Sequence, residues 1–424
     1  MPLSPHRHIL PNGLTLIVQE NRATPAVSAV ISIAAGAVDD PPGREGTAAL
    51  AARVIDRGST GLDAAAIADI LDARGAALSV SAGRHRLAAA CTCLAEDIDE
   101  VLVLAARVVI TPEFPEHEVV TRRAELVTDL REAEDDPASV AVDRMMAALY
   151  EGHPYGRSPH GHVASVERID AAALRAFHAA TFAPAGAAIV LVGDLDAARV
   201  VEVVERAFGA WRASARPVLP VPPSPPPGER RLIAVPMMDK AQTDVAYGLT
   251  GLARSDPDHD AAWVMNNALG QYAIGGRLGD SIRERQGMAY YVYSRLDATI
   301  GAGPLYVRAG VSAANVERTL ASIDDEISTV AREGITTREL DESKRYLIGS
   351  LPRRLETNAG IAAFLMEAEV FGLGLDYDQV LPGRIAAVTA GDVRAVAARL
   401  LDPAHATIVV AGPWAGTAAA GAAS

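Results

Sequence analysis

At 424 residues, half of them hydrophobic, the chain points to at least two cores, since single cores stop growing near roughly 250–300 residues. Its formal charge of -14 is spread over interleaved acidic and basic residues, without the basic stripe that a nucleic-acid partner calls for. No apolar run approaches the roughly 18–20 residues of a membrane span, and the opening MPLSPHRHILPNG carries no apolar signal core, so the expectation is a soluble, cytoplasmic protein with no membrane partner.

In chain order, His6 and His8 flank Arg7 at the start and carry no further signal. VSAVISIAAGAV alternates as a strand, and a helix opens after the Pro/Asp turn that follows. Cys91 and Cys93, the only cysteines, lie two apart in what reads as another strand and point the same way. A disulfide between them would be strained, and a metal site would need further ligands nearby, so both read as structural thiols. From Glu116 the pattern is that of a long amphipathic helix. The histidines of GHPYGRSPHGH, His153, His160 and His162, read as loop packing and exposed surface. Next SVERIDAAALRAFHAATFAP reads as a helix running into the apolar strand AAIVLVGDL.

Between Pro217 and Pro227 seven of eleven residues are proline, so neither helix nor sheet continues there and an extended linker is expected. Beyond it the order of elements repeats. TDVAYGLTGLA alternates as a strand, GITTRELDESKRYLIGSLPRR resembles the helix from Glu116, and GRIAAVTAGDVRAVAARLLDP reads as a helix running into the strand ATIVVAGP. The reading is a duplicated α+β module, residues 1–214 and 230–424, joined by a linker at 215–229, with antiparallel sheets packed by helices on one face. Two such modules hinged at the linker would form a clamshell half around a space.

Asn12-Gly13-Leu14-Thr15, the G-x-x-D-x-P-P-G run from Gly36 to Gly43, and the helix that follows resemble the pitrilysin/insulinase family of zinc metallopeptidases, and the resemblance runs essentially from end to end. Family enzymes carry H-x-x-E-H on that helix, where two histidines one turn apart hold zinc and the glutamate activates its water. Here the two histidine positions are Ala49 and Arg53 and the glutamate position is Ala52, so no lone pair remains for a metal or its water. The family's third ligand falls near Val120, with Glu118 and Glu125 as alternative registers. The strand that pairs with substrate in the family corresponds to Gly75–Gly83, with Leu78 where an asparagine often stands.

The second half keeps what the first has lost. A glycine-containing stretch, Leu269 to Leu278, precedes Ser281-Ile282-Arg283-Glu284-Arg285-Gln286-Gly287-Met288-Ala289-Tyr290, which resembles the family's I-R-E-x-x-G-L-A-Y. The resemblance assigns Arg283 and Tyr290 to the substrate backbone near the scissile bond, and both are donors suited to a carbonyl becoming an oxyanion. No nucleophile motif such as G-x-S-x-G occurs. The resemblance therefore implies a non-catalytic, substrate-binding subunit of a heterodimeric zinc endopeptidase acting on unfolded peptides, with zinc, the only cofactor, on a homologous partner. The competing expectation is a structural or peptide-binding scaffold.

Overall fold

The computed structural model describes residues 2–212, 221–271 and 275–416. The first half runs β1 (His6–Ile9), β2 (Thr15–Glu20), β3 (Ala26–Ile33), α1 (Thr47–Val54), a small hairpin of β4 (Gly58–Ser59) and β5 (Leu62–Asp63), and α2 (Ala64–Asp72). It continues through β6 (Ala77–Ala82), β7 (Leu87–Leu94), α3 (Ile98–Ile110), α4 (Glu116–Asp135), α5 (Pro137–Leu149), α6 (Val163–Val166), α7 (Ala171–Thr181), β8 (Ala188–Gly193) and α8 (Ala197–Phe208). The second half holds β9 (Arg231–Pro236), β10 (Thr243–Thr250), α9 (His259–Asn266), π-helical segments at Asn267–Gln271 and Gly279–Arg285, β11 (Ala289–Leu296) and β12 (Pro304–Val311). It ends with α10 (Val316–Glu333), α11 (Thr337–Arg354), α12 (Asn358–Phe371), α13 (Tyr377–Ala387), α14 (Ala390–Leu400) and β13 (Thr407–Gly412).

The α+β class expected from the sequence is what the chain adopts, as one six-stranded and one five-stranded sheet with their helices. Two compact units result, and each takes a segment from the other half of the sequence. One comprises residues 2–130, 158–212 and 350–380; the other comprises 131–157, 221–349 and 381–416. Residues 213–220, which include the start of the proline-rich linker, lie outside the described residues. The rest, 221–229, has no regular structure; in the second unit, Pro222 accepts at 3.0 Å from His153 Nε2 and Ser224 Oγ donates to Ala302 at 2.7 Å.

In the first unit the strands lie in the order β1-β2-β8-β3-β7-β6, antiparallel except for the parallel pair β2 and β8. Alternate residues separate two cores, as the two-residue period of a strand requires. Leu16, Val18, Ile189 and Leu191 face the larger core with α1, α3 and α8. Ile17, Val190 and Val192 face Ile361, Ala362, Leu365 and Met366 of α12. Asn358, the first residue of α12, donates to Ala26 O at 2.9 Å and accepts from Asn21 at 2.7 Å, which fixes its start on the sheet.

The second unit has the order β11-β12-β10-β13-β9, again antiparallel except for one parallel pair, β13 with β9. A Cβ on Gly248 would lie 2.3 Å from Met145 Sδ, so glycine admits α5 onto that face of the sheet. On the opposite face Tyr247 reaches α10, where its hydroxyl donates to Asp324 at 2.8 Å.

Two continuous helices expected from the sequence are each broken. SVERIDAAALRAFHAATFAP divides into α6 and α7 because the Asp170 carboxylate accepts from Ala173 N at 2.7 Å and starts a new helix. GRIAAVTAGDVRAVAARLLDP divides into α13 and α14, where Thr389 and Asp392 form a capping box. Periodicity continued across both breaks, and the capping side chains overrode it.

Cys91 and Cys93 are both buried on the core face of β7 as free thiols. Burial pushes Cys91 up to about 12, with Cys93 adding to the shift, and pushes Cys93 up to about 11, with Asp97 adding. Such thiols favour the folded state below the ordinary thiol value near 9, and that contribution is lost as pH rises from there toward 11–12. A disulfide-exchange reagent at pH 8 should therefore label neither cysteine in the native protein and both after denaturation. Rapid labelling of one thiol in the folded chain is the contrary result.

Candidate functional site

Helix α1 is held at its start by a carboxylate from outside it. Asp40 accepts from Gly46 N at 2.7 Å and from Ala48 N at 2.8 Å, filling the role that a capping side chain at Gly46 would have. Gly46 has φ +96, and a Cβ there would lie 2.6 Å from His160 O, so both the turn and the packing of the 160–162 loop require glycine. The helix thus placed presents Ala49, Ala52 and Arg53 on one face, by their three- and four-residue spacing. Ala49 and Ala52 are buried in the core and offer no donor atom. Arg53 instead donates to Asp129 of α4 at 2.7 Å, an exposed pair of the kind worth about 0–1 kcal/mol.

These residues do not fit a zinc ion. Two methyl groups and a cation stand where three ligating or water-activating groups would be needed, and among the described residues no group of three His, Cys, Asp or Glu gathers to hold a metal. Of the residues in the alternative registers for a third ligand, Val120 is exposed, while Glu118 and Glu125 both engage Arg122, at 3.4 and 2.7 Å. The carboxylate that pairs with Arg53 of α1 is Asp129, which sequence reasoning did not single out.

Strand β6 forms the outer edge of its sheet, paired only with β7 among the described residues. Ala77, Ser79 and Ser81 are exposed, while Leu78, Val80 and Ala82 pack against the core. The Leu78 side chain is therefore occupied, and what β6 can offer an extended peptide is backbone pairing.

Arg283 and Tyr290 both belong to the second unit, on either side of one tight turn. Arg283 sits in the π-helical segment, half exposed, with Glu284 Oε1 3.8 Å from its Nε. Gly287, at φ +61, then reverses the chain: its N–H donates to Arg283 O at 3.1 Å and Met288 N donates to Ile282 O at 3.0 Å. Tyr290 follows at a β-bulge. Ala289 opposes Val311 and Tyr291 opposes the next residue, Gly310, leaving Tyr290 as the extra residue, 82 % exposed. Arg285, by contrast, is an exposed arginine paired with Asp280 at 2.9 Å. Residues 272–274 of the glycine-containing stretch lie outside the described residues; Arg277 just beyond them is gripped in bidentate fashion by Glu339 at 2.6 and 2.8 Å.

Behind the bulge lies a polar cluster that sequence reasoning also missed. The Tyr291 hydroxyl donates to Asp244 Oδ1, Gln242 donates to Asp244 Oδ2 at 3.1 Å, and Arg308 reaches the hydroxyls of Tyr291 and Tyr293 at 3.2 and 3.3 Å. Burial first, then Asp244, pushes the Tyr291 hydroxyl well above the ordinary tyrosine range, so it remains a donor. The available signal was the tandem Tyr290-Tyr291, which breaks the alternation of the strand.

Among the histidines, His153 is buried against the rings of Tyr150 and Tyr155, His162 starts α6, and His160 is exposed. No helix among the described residues is long and apolar enough to cross a membrane.

Residues 15–161 match the insulinase family of peptidases (peptidase family M16), and residues 168–347 match the peptidase M16 inactive domain. An uncharacterized zinc protease of Mycobacterium tuberculosis is 28% identical over 414 residues, which cover 96% of this chain and 93% of that protein. A non-peptidase homolog of Helicobacter pylori is 23% identical over 388 residues, covering 90% and 87%. The crystal structure of a peptidase M16 inactive domain from Pseudomonas fluorescens superposes with a TM-score of 0.90 at 27% identity, covering 97% of this chain and 98% of that one. With both segments of the family matched in order and no H-x-x-E-H anywhere in the sequence, the chain belongs to the insulinase (M16) peptidase family as a member without the catalytic motif.

Proposed function

We propose that this chain is the substrate-binding, non-catalytic subunit of a heterodimeric zinc endopeptidase, presenting Arg283 and Tyr290 to an unfolded peptide that a zinc-bearing homologous partner cleaves. The observation that carries the reading is Tyr290 itself, 82 % exposed at a bulge that turns its phenol away from the core, while α1 lacks every ligand. A phenol and a guanidinium can each donate to a peptide carbonyl, and more strongly as that oxygen gains charge. The partner, by this reading, supplies the metal and the water; this chain holds the peptide. The open edge of β6 is a further place where extended backbone can pair.

Purified alone, the chain should carry no stoichiometric zinc and show no chelator-sensitive peptidase activity, as Ala49, Ala52 and Arg53 leave no ligand set. Elemental analysis giving about one zinc per chain, lost with activity on chelation, speaks against the reading.

Affinity purification from the native host should bring down a homologous chain with an intact H-x-x-E-H. The two should form a stable complex in light scattering, through an interface burying more than about 1,000 Å² in total. Detection of this chain's mass alone after mixing the two at micromolar concentration removes the dimer.

In that complex Tyr290→Phe should lower turnover of an unfolded peptide by on the order of 10²–10³, the usual effect of losing one such donor. Complex formation and thermal stability should change little, since a single exposed hydroxyl is removed. Arg283→Ala should also raise KM, because its charge acts on the bound peptide before reaction, whereas Arg285→Ala should be nearly silent. Turnover within about twofold of the unmodified complex for both Tyr290→Phe and Arg283→Ala favours the scaffold role instead.

A further inference from the structure

A bulge on an edge strand is free to slip unless something holds the residues beside it. In a strand without the extra residue, Ala289 and Tyr291 would share one face and Tyr290 would point to the other. The register shift changes this. Ala289 shares the buried face with Val292, and Tyr291 turns to the opposite one, leaving Tyr290 directed outward. Tyr291 is the first residue after the bulge, and it is the one that is tied down.

The tie runs across three strands. Tyr291 on β11 donates to Asp244 on β10, a carboxylate only 3 % exposed whose other oxygen is held by Gln242 at 3.1 Å. Arg308 on the intervening β12 lies 3.6 Å from the same carboxylate and 3.2 Å from the Tyr291 hydroxyl. Its guanidinium also lies against the rings of Tyr291 and Tyr293, 5.8 and 6.0 Å from their centroids, and those rings stack at 6.0 Å. Gly310 leaves room for the arrangement, because a Cβ there would lie 2.6 Å from the Tyr291 ring. Burying an acid beside a largely buried arginine carries a desolvation cost, and replacing such pairs with apolar residues is often neutral or stabilising. Core stability alone does not account for the cluster.

The geometry points to Asp244, Arg308 and Tyr291 as positioning residues that lock the bulge and so aim Tyr290. The assignment rests on the proposed function for what Tyr290 touches, but the aiming itself is a property of this chain alone. Tyr290 moves with Tyr291 through one peptide unit, so a change in hydrogen bonding at Asp244 alters the direction of the neighbouring phenol.

The test places 3-fluorotyrosine in the full chain and follows the fluorine resonance of Tyr290, assigned by its loss in Tyr290→Phe. Tyr291→Phe removes one hydroxyl and Asp244→Asn keeps the volume while removing the charge, so both should fold. Arg295→Ala, on the exposed part of the same strand, is the control. Both network variants should shift or broaden the Tyr290 resonance and speed amide exchange across residues 288–292 by about tenfold or more, with the control unchanged. An unaltered resonance and unaltered exchange in both network variants overturn the proposal.

A second arm uses the co-purified complex and a fluorogenic unfolded peptide. Tyr291→Phe should lower kcat with little change in KM, and the double variant with Tyr290→Phe should be no slower than Tyr290→Phe alone. Additive effects also overturn it. If Tyr290→Phe and Arg283→Ala both leave turnover within about twofold, the substrate-binding function fails, while a shifted Tyr290 resonance still establishes the lock.

Discussion

The central strands of each sheet are dry on both faces, and much of the fold follows from how the second face is closed. The central strands β8, β10 and β13 are buried nearly throughout, so helices packed on one side only would leave a row of valines and isoleucines in water. The missing cover comes from the opposite half of the sequence, α12 over the first sheet and α5 over the second. Each fully buried Ile, Leu or Met contributes roughly 1.5–3 kcal/mol, so Ile361, Leu365 and Met366 make α12 a substantial part of the first unit's core. Neither sequence half is complete without this exchange. The linker at 215–229 therefore joins two stretches of sequence but does not separate two folding units.

The same packing holds α1 in place without a metal ligand on it. The position of α1 depends on Asp40 at its start, on Gly46 beneath the 160–162 loop, and on small buried side chains along its length. Ala49 and Ala52 are buried within that packing. Arg53 then finds a carboxylate on α4, joining two helices through an ion pair. An exposed pair of this kind adds little stability, so the helix is held by its core and its cap, not by the remnant of the site.

Elements with a strong local period were legible from the sequence. The alternation of β3 and β10, the helix from Glu116 and the strands β8 and β13 all appear where their residues place them. Helix breaks at Asp170 and Thr389 were missed because a capping side chain competes with a period that runs on regardless. The exchange of α5 and α12 was hidden for a different reason. An amphipathic helix records that it has a buried face, but not which sheet it covers. Asp129 was similarly out of reach, since its relation to Arg53 spans 76 positions and exists only once α1 and α4 are packed. The short motif around Arg283 and Tyr290 marks an expected site in the sequence; the cluster beside it has no such mark, because Asp244 and Arg308 sit among strand residues with nothing local to distinguish them.

That cluster bears on what kind of protein remains after the metal ligands are gone. An exposed phenol at an edge-strand bulge buries almost no apolar surface and so contributes little to folding. Directly behind it the chain buries a carboxylate beside a largely buried guanidinium and joins them through tyrosine hydroxyls. Neither feature is explained by packing alone, since apolar residues in place of such pairs are often neutral or stabilising. An exposed side chain with a rigid polar support behind it is the arrangement expected where a hydroxyl must be held in a fixed direction toward something outside the fold.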